Sequence, residues 1–346
     1  MTRRWLCDVA VLAALACLAT ACSSSNGHPD ASPASAPART SSSPSPTTSE
    51  LPKGVLASIP LPCCGPSFPV AAFGSLWVPS HRGTQISRID PRRDKVLAAI
   101  DVGDEGCATT PVATPEVLIV DCPPPLPDVE IAPRTNEVVG TLPEHVVAYG
   151  FGTTWGVSDD VNALERTNLS TLRVTVVRRM DVGPIAFTKD EAWVLNVDEA
   201  GSGYIESGIV RIDSRTNRAL GTIHIPDPGY NPNIVAAYGA MWVKGADNAV
   251  LVRVDVRTLE VTTYKLPGYE VPTDGGDDSP VAGAGSIWMR LNADWIARIA
   301  PDTGKMIGRV PSDGLDTGAT IQFAFGSLWI ASFDGGFLRR DRIYRP

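Results

Sequence analysis

Residues 72–77 read AFGSLW, the same six residues return at 324–329, and diluted copies lie between them. A chain made of repeats buries its apolar faces by stacking neighbouring units, so this feature restricts it to the repeat architectures. With Trp77 as marker, equivalent tryptophans stand at Trp155, Trp193, Trp242, Trp288 and Trp329, at spacings of 78, 38, 49, 46 and 41 residues. The first gap is a double one. Residues 115–120, PEVLIV, fill it with Leu118 in place of the tryptophan, which makes seven units of about 40 residues. That period is the period of four-stranded propeller blades.

Each unit divides into four short strands, a to d from the axis outward. In the first unit these are 68–73, 76–80, 85–90 and 96–100, with Gly74-Ser75 in a tight a to b turn. The c strands recur as QISRID at 85–90, GIVRID at 208–213, LVRVD at 251–255 and WIARIA at 295–300, and their period-2 alternation marks half-buried strands. The c to d turn keeps one length throughout: DPRRDK from Asp90, APRTNE from Ala132, DSRTNR from Asp213, DVRTLE from Asp255 and APDTGK from Ala300. After Trp329 the chain supplies only strands b and c of its last unit. The missing d strand is matched by VLASI at 55–59, close to VLAAI at 96–100. The expectation is an all-β, seven-bladed β-propeller of four-stranded blades, closed by an N-terminal strand that completes the last blade and leaves no open sheet edge at the seam.

The chain resembles, over about residues 55–343, the bacterial seven-bladed propellers of the YVTN/YncE-like and streptogramin-lyase-like groups, whose units carry a G-S-L-W-V strand followed by an R-I-D-P-x-T segment. The resemblance implies the architecture. It implies little about function, because this fold hosts unrelated activities. Streptogramin lyases use a histidine and metal-binding carboxylates in their later blades. Here the histidines are His28, His81, His145 and His224, and none lies beyond His224. Those catalytic positions therefore have no counterpart in this chain.

The first fifty residues stand apart from the repeats. Arg3 and Arg4 precede an apolar run at 9–19 that is too short to span a bilayer, the layout of an export signal. LATAC at 18–22 resembles the lipobox of bacterial lipoproteins, by which Cys22 is the lipidated residue. The alternative is plain cleavage after the A-x-A site at 19–21. The expected organisation is a signal peptide with lipobox at 1–22, a disordered Ser/Pro/Ala-rich tether at 23–53 and the propeller at 54–346. The resulting location is the extracytoplasmic side of the cell membrane, held through the lipid anchor.

The formal charge of −8 over 346 residues argues against a nucleic-acid partner. Propeller geometry sorts loops by face. Connections d to a and b to c share the top, where the longer insertions fall at 196–207, 226–233 and 267–280. The regular c to d turns lie at the bottom and carry Arg92, Arg93, Lys95, Arg134, Arg215, Arg218, Arg257 and Lys305. Insertions gathered on one face of a repeat array point to a binding face. Of the seven cysteines, Cys63, Cys64, Cys107 and Cys122 belong to top loops of the propeller. In an exported protein they are disulfide candidates, with Cys63 or Cys64 joined to Cys107 and to Cys122. A vicinal Cys63–Cys64 bond is the minor alternative. The cysteines lack metal-ligand spacing, and no metal or other cofactor is expected.

No G-x-S-x-G, P-loop, H-E-x-x-H or EF-hand pattern is present. A site, if the chain has one, belongs where the b to c loops meet at the channel mouth. That ring draws on His81, Asp121, Asp159, Asn196, Lys244, Arg290 and Asp334 and suits a polar ligand. The function expected is a binding or scaffold module that offers this face to a protein, a glycan or a small polar ligand. Two alternatives stand beside it. One is a lyase or hydrolase with an unfamiliar site, and the other is an accessory or sensor subunit of an envelope assembly.

Overall fold

The computed structural model of the chain describes residues 51–343 apart from 104–106, 108–109, 124, 143–144, 159–161, 198–204, 272–278, 313–314 and 316–317. The signal segment, Cys22, most of the tether and Asp159 lie outside the described residues. Seven four-stranded antiparallel sheets follow one another along the chain. Blade 1 holds Val70–Ala72, Ser75–Pro79, Gln85–Asp90 and Lys95–Asp101. Blade 2 holds Pro111–Ala113, Leu118–Val120, Asp128–Ala132 and Glu137–Leu142. Blade 3 holds His145–Gly150, Thr153–Ser158, Ala163–Asn168 and Arg173–Arg179. Blade 4 holds Ile185–Phe187, Glu191–Val197, Ile205–Asp213 and Ala219–Ile223. Blade 5 holds Tyr230–Ala237, Ala240–Ala246, Val250–Asp255 and Val261–Lys265. Blade 6 holds Val281–Gly283, Ser286–Arg290, Trp295–Ile299 and Met306–Pro311. Blade 7 holds Thr320–Ala324, Ser327–Ser332 and Phe337–Arg342, and its outer strand is Val55–Pro60 from the start of the domain.

The closing strand pairs antiparallel with Phe337–Arg342, from Val55 opposite Asp341 to Pro60 opposite Phe337. Backbone bonds from Leu61 N–H to the Gly336 carbonyl and from Arg342 N–H to the Gly54 carbonyl fasten its two ends. Every innermost strand lies against that of the next blade, and the last lies against the first, so the ring is closed.

The repeated motif has a mechanical explanation. In each of blades 1, 3, 5, 6 and 7 the a to b turn has two consecutive residues with positive φ, as at Phe73 (51°) and Gly74 (70°) or Phe325 (50°) and Gly326 (73°). This is the turn whose twist matches a hairpin, and glycine takes its second place without a Cβ penalty. The tryptophan three residues after that glycine is buried in strand b. In those five blades its indole N–H donates to a backbone carbonyl five residues back, as from Trp77 to Ala72 and from Trp329 to Ala324.

Directly across the sheet from each tryptophan stands the arginine of the R-I-D segment. Arg88 faces Trp77, Arg166 faces Trp155, Arg211 faces Trp193, Arg253 faces Trp242, Arg298 faces Trp288 and Arg340 faces Trp329. All six guanidinium groups lie over the indole rings at 4.5 to 5.8 Å from the centroid, a cation–π arrangement. Three of them also reach the c to d turn of the next blade. Arg88 donates to the Pro133 carbonyl and Asn136, Arg166 to the Ser214 carbonyl and Asn217, and Arg340, across the seam, to the Pro91 carbonyl and Asp94.

In these three turns the contact fixes the residue that closes the turn. The Asp or Asn that closes the turn must present its side chain to the arginine from a left-handed conformation, with φ of 53° at Asp94, 62° at Asn136 and 58° at Asn217. In blades 1, 4 and 5 the turn is opened by an aspartate whose carboxylate accepts backbone N–H groups two and three residues on, as Asp90 does from Arg92 and Arg93. Such bonds hold the Asp90 carboxyl below its usual range and bring Asp255 to about 2, and at Asp213 the Thr216 hydroxyl leads the backbone donors in the same direction.

Blade 2 departs from the pattern. Pairing across the Pro115-Glu116 turn places Ile119, not Leu118, at the tryptophan position, because Ile119 is the residue that faces Glu130, the counterpart of the arginines. With no aromatic face to stack on, an arginine there would lose its cation–π partner, and burial raises the Glu130 carboxyl that replaces it.

The cysteine pairing also differs from the expectation. Cys107 is bonded to Cys122, with Cα atoms 4.0 Å apart, while Cys63 and Cys64 are free thiols. Cys107 and Cys122 are both buried in one core cluster with Trp77, Val120 and Ile131. Cys63 and Cys64 instead pack beside Ser80 and Arg82 of blade 1, where their sulfurs are 3.1 Å apart. A bond that closes a loop of this length, with a sequence separation of 15, stabilises by about 3 kcal/mol in the chain-entropy account. Cys122→Ser is therefore expected to lower the unfolding free energy by about that amount. Peptide mapping without reductant should recover Cys107 linked to Cys122, and free alkylation of both would contradict the pairing.

Candidate functional site

The seven strands b run outward to the top face, and their last residues meet the first residues of strands a and c there. The residues expected to form one ring at the channel mouth fall into separate groups. His81 and Asp334 are both exposed and are brought together across the seam between blades 7 and 1. The His81 ring lies 5.7 Å from that of Phe333, and Arg82 covers the same ring at 4.4 Å while bridging to Asp334 at 2.8 Å. Cys64 donates its thiol to the Arg82 carbonyl, and hydrogen bonds, first from Ser80, lower the Cys63 thiol below its usual range.

Three members of the expected ring are built into the scaffold instead. Lys244 is completely buried, its ammonium 4.1 Å from the Tyr269 ring centre and donating to the Gly245 carbonyl. Arg290 is 3% exposed and ties blade 6 to blade 7 by donating to the Ala319 carbonyl at 3.0 Å. Asn196 is buried near the end of its strand. The insertion at 226–233 contributes residues to an eight-residue inner strand, Tyr230–Ala237, and that at 196–207 runs into Ile205–Asp213. Part of the apparent loop variation is therefore strand extension.

Among the described residues, Asp121 belongs to a close group of three ionisable side chains on this face. It follows strand b of blade 2, Asp128 opens strand c of the same blade, and His145 opens the innermost strand of blade 3. His145 Nδ1 is 3.4 Å from Asp121 Oδ1 and 3.4 Å from Asp128 Oδ1. The three side chains are graded in depth, with Asp121 35% exposed, His145 14% and Asp128 not at all. Two backbone donors fix the buried carboxylate: Cys122 N–H to Oδ1 at 3.1 Å and Val146 N–H to Oδ2 at 2.7 Å.

Burial raises the Asp128 carboxyl to about 7. The charge of Asp121 pushes in the same direction, against the backbone bonds and His145. The group thus combines one carboxylate reached by solvent, one carboxyl of nearly neutral pKa and one imidazole, which is chemistry suited to cation binding or to proton transfer. Asp128 has no motif around it: it sits in a c strand at the place where other blades carry the buried apolar residues Ile86, Leu164 and Leu251. His145 is one of four histidines in the sequence and likewise carries no motif.

No family model and no curated protein matches the chain. Solved structures share the fold. A virginiamycin B lyase from Staphylococcus aureus superposes with a TM-score of 0.65 at 16% identity, over 83% of this chain and 99% of that one. A streptogramin B lyase structure gives 0.61 at 16% identity, over 81% and 94%. The hydrazine synthase of Kuenenia stuttgartiensis gives 0.64 at 10% identity, over 85% and 99%. The same architecture thus serves differently named enzymes, so the likeness establishes the seven-bladed ring and no activity.

Proposed function

We propose that this chain is an exported, lipid-anchored propeller that binds a small polar ligand at its top face. The observation that carries the reading is the placement of solvent-reached ionisable side chains on that face: Asp121 and His145 at strand ends where blades 2 and 3 meet, and His81, Arg82 and Asp334 in the short b to c turns where blades 7 and 1 meet. Sites carried on rigid strand ends hold their geometry without ordering a loop on binding. Export and anchoring are supported by the basic n-region, the short apolar run and the lipobox-like LATAC ending in Cys22. The Cys107–Cys122 bond suits an oxidising compartment. A second reading, a lyase or hydrolase, draws support from the juxtaposed Asp128 and His145, an acid and a base of graded exposure.

The test is a thermal-shift screen of the full chain against sugars, amino acids and phosphorylated metabolites, followed by titration of any hit. Since a lost charged hydrogen bond costs about 1.5 to 3 kcal/mol, His81→Ala or Asp121→Ala is expected to weaken the hit at least tenfold with little change in melting. Arg290 is unsuited to this purpose because its side chain ties two blades together. Binding that survives both changes but is lost on replacing Arg92 and Arg93 by alanine would move the working face to the bottom turns. Turnover of the hit by the wild type, absent in His145→Ala, would favour the enzyme.

A further inference from the structure

We propose that Asp121, Asp128 and His145 hold one divalent transition-metal ion at the top of the seam between blades 2 and 3. The inference goes beyond the ligand-binding reading and does not depend on it. One ligand atom from each of the three residues lies within 4.8 Å of the others. The two distances from His145 Nδ1 to the carboxylate oxygens, 3.4 Å each, are longer than charge-assisted hydrogen bonds of about 2.7 to 2.9 Å. They match the edge of a tetrahedron with metal–ligand bonds of about 2.0 to 2.1 Å, which is about 3.4 Å.

The surroundings behave as a second shell. Cys122 N–H and Val146 N–H take one oxygen each of Asp128 and so fix the plane of its carboxylate before any ion arrives. The Cys107–Cys122 bond anchors the first of these donors. A wholly buried carboxylate beside a second one is costly to ionise in the absence of a cation, and a divalent ion offsets both charges at once.

The donor set selects the ion. Two carboxylate oxygens with an imidazole nitrogen suit Zn2+, Mn2+ and their neighbours, whereas Ca2+ and Mg2+ favour oxygen ligands alone. Three protein ligands leave a fourth position, and the half-exposed Asp121 marks the side from which an oxygen anion or water would reach it. Asp121 and Asp128 are 7 residues apart and His145 follows 17 later, spacings that form no recognisable motif. The expectation of no metal rested on the cysteine spacing and on the missing H-E-x-x-H and EF-hand patterns, and these three residues belong to none of those patterns.

The experiment uses the full chain without an affinity tag, with Cys63 and Cys64 both replaced by serine so that thiols contribute nothing, and stripped with a chelator. Calorimetric titration with Zn2+ should give one ion per chain, and Co2+ should show the visible absorption of a bound, low-symmetry ion. His145→Ala and Asp121→Asn are each expected to weaken Zn2+ binding at least tenfold. Failure of Zn2+ and Mn2+ to bind stoichiometrically, or binding that both variants leave unchanged, would overturn the proposal. Should a variant lose its cooperative melt, anomalous diffraction from Zn2+-soaked crystals decides: a peak among the three side chains supports the site, and a peak elsewhere or none refutes it.

Discussion

Trp329→Ala is expected to lower the unfolding free energy by about 3 to 5 kcal/mol, the usual cost of emptying a buried aromatic site. In a ring of this size that corresponds to a drop in melting temperature on the order of 10 °C. Trp329 is completely buried in the cluster that joins blade 7 to blade 1, with Ile59 of the closing strand, Leu76, Val78 and Leu338 around it. Its indole N–H satisfies the Ala324 carbonyl at the a to b turn. Its face supports Arg340 at 5.2 Å, and Arg340 is the side chain that reaches Pro91 and Asp94 of blade 1. One substitution therefore empties a core site, orphans a turn carbonyl and releases the cross-blade arginine. Trp329→Phe keeps most of the apolar contact and should cost roughly 1 to 3 kcal/mol through the lost donor. Leu97→Ala, at a side chain 51% exposed on an outer strand, should fall within about 0.5 kcal/mol of wild type and serves as the control. Thermal unfolding followed by circular dichroism ranks the three. Trp329→Ala melting within a degree or two of Leu97→Ala would show that the tryptophan–arginine pair does not hold the seam.

The architecture was legible because it is written several times over. The AFGSLW turn, the R-I-D strand and the fixed c to d turn each recur, so an error in one copy is corrected by the others, and VLASI at 55–59 could be assigned as the missing strand by comparison with VLAAI. Where a copy is worn the reading slipped. In blade 2, Leu118 and Ile119 are equally apolar, and only the hairpin register opposite Glu130 places Ile119 at the tryptophan position. The cysteine pairing was out of reach for a related reason. The order of blades tells which loops share the top face but not which of them share a core, and Cys107 and Cys122 share theirs with Trp77.

The candidate site was legible only in part. Strand geometry carries Lys244, Arg290 and Asn196 to the top edge, yet burial there turns them into scaffold contacts, with Tyr269 beneath the Lys244 ammonium and the Ala319 carbonyl at Arg290. Asp121 lies on the expected face, but its companions come from two other strands. Their meeting depends on how blade 2 packs on blade 3, which no local pattern encodes. Asp128 shows this most clearly, since an isolated aspartate at the start of a strand reads as a loop boundary until Cys122 and Val146 are seen to donate to its two oxygens.

The claim on which every placement at the top face depends is that the chain is one ring closed by its own first strand, and truncation tests it most directly. Val55–Pro60 makes the only described backbone pairing to the outer side of Phe337–Arg342, and Ile59 is 4% exposed within the blade 7 core. Removing it strips several backbone bonds worth about 0.5 to 1.5 kcal/mol each and a buried isoleucine worth about 1.5 to 3 kcal/mol. It also leaves an unpaired sheet edge open to aggregation. The combined loss is on the order of 5 to 10 kcal/mol, comparable with the whole stability of an ordinary domain. The measurement is the thermal and urea unfolding of two chains, one beginning at Gly54 and one at Gly65. The first is expected to melt cooperatively and the second to be unfolded or aggregated at 25 °C. Equal midpoints for the two would contradict closure by the N-terminal strand.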